Sequence, residues 1–344
     1  MKRLRESGAG TDETVKARYL LFVAPRTVEI READVPPLEP GSVLVRTEYS
    51  GISSGTELLA YRGEIDPGLP LDEEIGALSG TFSYPFRYGY CAVGKVEESM
   101  ASLPEGAQVF AFHPHQDLFV MPADDVLVLN DVDARVATLY PIVETALQVC
   151  LDAAPRYGEV VVVVGLGAVG MLVAKMLQLS GARVLGSEPD ASRRKTAEAM
   201  GVDAVPPEDL KRAVEQLTRA RGADLIVEAS GNPHALGASL ELLSHEGTAV
   251  VCSWYGNKSV SLPLGSDFHR RRLSIHSSQV STLPANLSGR WDRKRRTELA
   301  VELLHELPLY MLSAHEFPFE RAAEAYAAID RGEDGLVHAA LRYR

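Results

Sequence analysis

EVVVVVGLGAVG (residues 159–170) decides the fold. Its run of valines has no polar alternation, so it reads as a strand buried on both faces of a parallel sheet. A Gly-rich turn follows at once, and an apolar segment, 168–179, continues as a helix until Gly181 stops it. In that strand–turn–helix setting GxGxxG has a physical meaning. Gly165 permits the tight turn, Gly167 lets the backbone approach a pyrophosphate, and Gly170 lets the helix pack close to the strand. Free N–H groups at the helix start attract the diphosphate, so Leu166, Ala168 and Val169 join the glycines as candidate cofactor-binding residues. The rival reading is a glycine turn that binds nothing.

Glu188 ends the next strand, 18 residues beyond Gly170. A carboxylate there accepts hydrogen bonds from the ribose hydroxyls and repels a 2′-phosphate, which favours NAD over NADP. Arg193 and Arg194 stand just beyond and are suited to a 2′-phosphate, so NADP stays open. Arg193, Ser230, Ser253 and Ser277 complete the candidate cofactor set.

Working outward, the pattern after residue 134 alternates helix and strand. ARVLGSE, ADLIVEAS, GTAVVCSW and RLSIHSS read as further strands, with ASRRKTAEAMG, EDLKRAVEQLTRARG and PHALGASLELL as helices between them. Such alternation predicts a doubly wound α/β parallel sheet with right-handed crossovers. Two more helices are expected, about 293–307 and 319–330. Residues 17–131 differ in texture. Short β-like runs (SVLVRTEYS, AVGKVEE, AQVFAFH, DLFVMPAD) are broken by Gly and Pro, which predicts an all-β unit.

A chain of 344 residues suits two domains. Its formal net charge of −12 argues against a nucleic-acid partner, which needs a basic footprint. No stretch approaches the ~20 apolar residues that cross a bilayer, and the charged start MKRLRESGAGTDETVK has no apolar run of a secretory signal behind it. Three scattered cysteines suggest reduced thiols. The expectation is a cytoplasmic protein with a small-molecule substrate and no membrane partner.

With these motifs the sequence resembles the medium-chain dehydrogenase/reductase superfamily over nearly its whole length. The resemblance implies a disordered tail (1–16), a GroES-like β-barrel catalytic domain (17–141 and 281–344) and a Rossmann dinucleotide-binding domain (142–280), with the active-site cleft between them. It also implies a homo-oligomer, expected to be a dimer joined near the strand 272–277. Zinc members carry GICGTD, then GHE, then a Cys or Glu-Pro before the cofactor domain, each supplying a ligand. Here the motifs read GISSGTE (51–57), GYCAVG (89–94) and YPIVETALQV (140–149). Ser53 or Ser54, Tyr90 and Tyr140 hold the ligand positions, and the four-cysteine structural zinc loop is absent. Neutral Ser and Tyr oxygens are poor zinc ligands, so no metal is expected. SGISSGTE with YPFRYGYCAVG is most similar to the subgroup containing bacteriochlorophyllide a dehydrogenase, and the subgroup is carried over without its chlorin substrate.

Without a metal, a hydrogen-bond donor must stabilise the developing oxyanion. The resemblance puts Tyr90 and Tyr140 where two ligands converge and Thr56 at the proton-relay hydroxyl position. It puts Glu144 one turn past Tyr140, facing the nicotinamide as an orienting group or base. These four are the candidate catalytic residues. Leu59 holds the family's relay-histidine position. Ser54, Trp254 and Tyr255 are candidate substrate-pocket residues, and Ser277, Ser278 and Gln279 align where backbone carbonyls hold the carboxamide. Plainer rivals stand beside these: a tyrosine near a Gly turn is often core, and Trp254 with Tyr255 is equally strand-end packing. FHPHQD puts His113 and His115 on one face of an extended segment. They are expected to face solvent or cleft rather than a metal, with Cys91 the alternative partner in a metal site. The basic runs HRRR (269–272) and DRKRR (292–296) are expected to be solvated faces.

The leading expectation is a zinc-independent NAD(P)(H)-dependent oxidoreductase interconverting a secondary alcohol and a ketone. Reduction of a conjugated C=C bond is the enzymatic alternative, and a non-catalytic NAD(H)-binding sensor or scaffold is the alternative of another class.

Overall fold

The computed structural model describes residues 15–344. Most of the expected tail lies outside them; its last residue, Lys16, is already paired with Asp34 in a strand.

Val160–Val164 stands at the centre of a six-stranded sheet, with all five valines buried. Arg183–Ser187 and then Ala204–Val205 lie on one side; Ala223–Glu228, Leu243–Val251 and Ser274–Ser277 lie on the other. Every pairing is parallel. Counted in chain order the strands run 3-2-1-4-5-6, the doubly wound arrangement of dinucleotide folds. The order reverses at Val160–Val164, and ligands of such sheets bind beyond the carboxyl ends of the strands at that point. The helix Ala168–Leu179 leaves from there with the predicted bounds.

The other lobe is built on antiparallel pairing. Ser42–Ile52 is its spine, flanked by Ala92–Ser99 and by the C-terminal strand Ala339–Arg342. Ala339 faces Ile52 and Leu341 faces Ser50, so the chain end is woven into the sheet that carries residues 42–128. The strands Lys16–Ala24, Thr27–Asp34 and Phe86–Arg87 form a separate small sheet. The arrangement is consistent with the expected GroES-like domain.

Two local features depart from the sequence pattern. A short helix, Thr56–Arg62, interrupts the β texture; Gly63 ends it with φ +74°, a left-handed cap open to glycine. This helix sets the directions of Thr56 and Glu57. The helix Tyr140–Ala153 runs through the expected boundary at 141/142 and packs on both Ala168–Leu179 and Arg293–Glu306.

The two lobes meet beyond the strand Leu243–Val251. A Cβ on Gly256 would lie 2.2 Å from the Glu64 carbonyl oxygen, and the Asn257 N–H donates to that same oxygen at 2.8 Å. Among the described residues no helix is long and apolar enough to cross a membrane.

Candidate functional site

The Gly-rich turn is shaped by backbone contacts. Gly165 has φ +91°, and a Cβ there would lie 2.6 Å from the Ser230 Cα. A Cβ on Gly170 would lie 2.0 Å from the Gly165 carbonyl oxygen. Gly167 differs: a Cβ there meets nothing within 4 Å. Two of the glycines are therefore demanded by the protein itself, and the third faces open space. The Leu166 N–H donates to Glu188 Oε2 at 2.8 Å and the Asp190 N–H to Oε1 at 3.1 Å, so Glu188 closes over the turn. Leu166 and Ala168 are buried, and Val169 is half-buried.

Beyond Glu188, Asp190 caps the helix Ala191–Ala199. The two arginines separate here. Arg194 Nη1 donates to the carbonyl oxygens of Glu188 and Pro189, both at 2.7 Å, so it is committed to backbone rather than to a 2′-phosphate. Arg193 reaches across to the Leu336 carbonyl, and its buried Nε has no partner. An open glycine, a carboxylate at the strand end and an unpartnered buried guanidinium N–H fit a dinucleotide. Gly165–Gly170 would hold its diphosphate and Glu188 its ribose.

A second carboxylate, which sequence reasoning missed, lies under the next strand end. Glu228 is fully buried and accepts from the Ser230 N–H at 2.7 Å, the Ser230 hydroxyl, and the Tyr255 hydroxyl at 2.7 Å. Ser253 Oγ accepts from the Gly231 N–H at 2.9 Å. Its signal was visible: the strand Ala223–Glu228, ADLIVE, ends in an acid just as ARVLGSE does. Burial, with Glu228 nearby, pushes the Cys252 thiol up to about 12. Tyr255 thus spends its hydroxyl inside the sheet end, with the rest of its side chain half-buried. Trp254 is the exposed neighbour, and its ring meets Phe82 of the other lobe at 6.0 Å. Phe82 meets Tyr88 at 5.2 Å, and Tyr88 meets Tyr90 at 6.2 Å. An aromatic wall thus runs from the end of the parallel sheet to Tyr90. Ser277 ends the edge strand, paired with Val251 on the strand that leads into Trp254.

Tyr90 is half-buried, and the Ser53 and Thr56 side chains lie beside its phenol. Burial first, then the charge of Glu57, pushes that phenol well above its usual range, so it stays protonated. Three candidates from distant motifs, Ser53, Thr56 and Tyr90, are thereby brought together; Ser54 stays exposed beside them. Beneath them lies a buried network. Glu57 accepts from the Ser53 N–H at 2.9 Å, from His115 Nε2 at 2.9 Å and from the Tyr326 hydroxyl. His115 Nδ1 meets Ser50 Oγ at 2.7 Å, and Ser50 Oγ meets the Tyr343 hydroxyl at 2.9 Å.

Other expectations are corrected. Tyr140 does not join Tyr90. It is 1% exposed, packs on Phe110 with ring centroids 4.7 Å apart, and has Thr297 and Glu144 near its hydroxyl. Glu144 is not a free base: Arg296 Nη2 holds its carboxylate at 3.2 Å, and both side chains are under 10% exposed. DRKRR is accordingly not wholly a solvated face. His113 and His115 turn inward; His113 stacks on Phe119 at 3.8 Å, and its burial lowers it to about 4. Cys91 donates to the Thr138 carbonyl, and burial pushes its thiol up, so it is a neutral core group. Among the described residues no three His, Cys, Asp or Glu side chains gather into a group that could hold a metal.

Residues 168–293 match the model of the zinc-binding dehydrogenase family. D-guloside 3-dehydrogenase of Escherichia coli is 28% identical over 311 residues, covering 83% of this chain and 88% of that one. An alcohol dehydrogenase from Thermus sp. ATN1 shares the fold, with a TM-score of 0.72 at 22% identity over 95% of this chain and 100% of the other. Sorbitol dehydrogenase of Halalkalibacterium halodurans is 30% identical over 338 residues, 88% of this chain and 93% of that protein. The chain belongs to the zinc-binding dehydrogenase family. As a medium-chain dehydrogenase of that family it carries the matched segment from the helix start at Ala168 onward. Thr56, Glu57, Tyr90 and His115 lie outside that segment.

Proposed function

We propose that the protein is a zinc-independent, NAD-dependent dehydrogenase that interconverts a secondary alcohol and a ketone, with a sugar or polyol hydroxyl as substrate. The observation that carries this reading is the protonated Tyr90 phenol, beside Ser53 and Thr56 at the end of an aromatic wall that starts at the parallel sheet. The relatives named for guloside and sorbitol support the substrate class. Glu188 over the turn, with Arg194 spent on backbone, supports NAD over NADP.

Bound NAD supplies the hydride acceptor. The protein's own part is to bind and polarise. Tyr90 O–H donates to the substrate oxygen and holds it where a carbonyl or alkoxide forms. Thr56, within reach of that phenol, passes a proton to or from it. Trp254, Phe82 and Tyr88 exclude water from one side and give a sugar's C–H face an apolar surface. The phenols around Tyr90 are neutral oxygen donors, poor ligands for zinc, and the Cys91 thiol is turned to the Thr138 carbonyl, so no step is routed through a metal. We further take the lobes as 17–141 with 281–344 and 142–280, place the chain with the subgroup resembling bacteriochlorophyllide a dehydrogenase, and assign a cytoplasmic dimer joined along Ser274–Ser277, the edge of its sheet.

Tyr90→Phe tests the reading. Its kcat for NAD-linked oxidation of a polyol and glycoside panel should fall by about 100-fold or more, with NAD affinity unchanged. Wild-type turnover in Tyr90→Phe, or about one zinc per purified chain, overturns it. A saturated ketone formed from an enone would favour the C=C reductase instead.

A further inference from the structure

The network under Tyr90 is more polar than packing requires. Glu57, His115 and Ser50 are completely buried, yet they make a connected set of hydrogen bonds drawn from four separate stretches of chain. An apolar set of equal volume can pack as stably as a buried ion pair. What the polar set adds is direction.

Resting on the functional reading above, we infer that Glu57 and His115 form a positioning pair that holds Tyr90 at both of its ends. The backbone end is held by His115. Gly89 has φ +99°, and a Cβ there would lie 2.5 Å from His115 Cδ2 and 2.6 Å from Nε2. The imidazole therefore fills the space beneath Gly89, the residue before Tyr90. The hydroxyl end is held by Glu57. The Ser53 N–H donates to Glu57 Oε1, Thr56 precedes Glu57 at the helix start, and the Ser53 and Thr56 side chains lie beside the phenol. Glu57 Oε2 and His115 Nε2, 2.9 Å apart, join the two grips. The result is a closed loop: phenol, Ser53–Thr56, Glu57, His115, Gly89 and back to Tyr90. Tyr326 on Glu57 and Ser50 on His115 brace it from the C-terminal helix and the central strand. A misplacement of about 1 Å at a reacting group costs about 100-fold in rate, so a device that fixes both ends of the donor bears directly on turnover. Glu57 also contributes charge, keeping the phenol protonated.

The first test needs no substrate. In the coenzyme-free protein, Glu57→Gln should speed amide hydrogen exchange in residues 51–57 and in residues 88–91 together, while exchange along Val160–Val164 is unchanged. Unchanged exchange at 88–91 overturns the pair. The second test is a double-mutant cycle with Tyr90→Phe, read as NADH formed from sorbitol and methyl glycosides. Glu57→Gln should lower kcat about 100-fold with KM and NAD affinity within about twofold. In the Tyr90→Phe background the same substitution should cost under about threefold, because Glu57 acts through Tyr90. Losses that multiply, or wild-type kcat in Glu57→Gln, overturn this inference alone. Full activity in Tyr90→Phe overturns the functional reading and this one with it. If Glu57→Gln fails to fold, His115→Gln, which keeps a donor for Glu57 but not the ring beneath Gly89, runs both tests.

Discussion

Two buried carboxylates organise the two halves of the cleft, and they are built differently. Glu188 takes the backbone N–H groups of Leu166 and Asp190. Glu57 takes one backbone N–H and then the side chains of His115 and Tyr326, 58 and 269 residues away. The first is held by the turn beside it, so its geometry follows from a short glycine pattern and a strand end. The second exists only once the chain end has returned to the sheet. Coenzyme binding should therefore respond to local changes in the turn, and substrate chemistry to changes far away in sequence.

Glycines offer the most severe way to break this contrast. A Cβ on Gly170 would lie 2.0 Å from a carbonyl oxygen and could be accepted only by moving backbone. Gly170→Ala should cost more than about 4 kcal/mol and lower Tm by about 10 °C. Gly167→Ala, with nothing near its Cβ, should hold Tm and weaken NAD affinity about tenfold or more, about 1.4 kcal/mol. Gly89→Ala should leave NAD affinity intact and depress kcat, since His115 must move. Thermal melts and NAD titration separate the three; equal Tm losses at Gly167 and Gly170 would erase the distinction between structural and ligand-facing glycines.

The same contrast explains what the sequence disclosed. The parallel sheet, the helix Ala168–Leu179 and Glu188 were legible because valine runs, glycine spacing and strand-end acids are short-range signals. Thr56 with Tyr90 was legible through motif likeness, although the short helix that aims Thr56 was not. His115 and Glu57 were hidden. A two-residue histidine spacing says which face two side chains share, but not whether strands from elsewhere will bury that face. Tyr140 and Glu144 misled for the same reason: Arg296, over 150 residues away from either, takes Glu144 out of the chemistry.

That last pair gives the next test. Arg296 Nη2 and Glu144 form a buried pair between the helices Tyr140–Ala153 and Arg293–Glu306. Arg296→Met strands a buried carboxylate and should cost about 3–5 kcal/mol. Adding Glu144→Leu should restore much of the stability, because an apolar pair replaces the ionic one. The double variant should also keep kcat. A stable double variant without turnover would return Glu144 to the catalytic residues and blur the line between the two carboxylate designs.

The mildest test compares imidazoles. His115 lies against a carboxylate; His338 does not. The Thr138 hydroxyl donates to the Arg135 carbonyl, so His338 Nε2–H donates to Thr138 Oγ1 at 2.9 Å, and buried Nδ1 has no partner. A second proton would land on that partnerless nitrogen, and burial lowers His338 from 6.5 to about 4. The unfolded chain therefore binds the extra proton first as pH falls. Stability is complete above about pH 6.5 and declines toward pH 4, at no more than about 1.4 kcal/mol per pH unit for one proton. His113, lowered to about 4 by burial and stacked on Phe119, adds a second proton in the same window. His338→Gln and His113→Phe should each flatten the fall in urea-unfolding free energy between pH 6.5 and 4.5 by up to one proton's worth, and together by up to two. If neither changes that slope, the acid sensitivity comes from other groups than these two imidazoles.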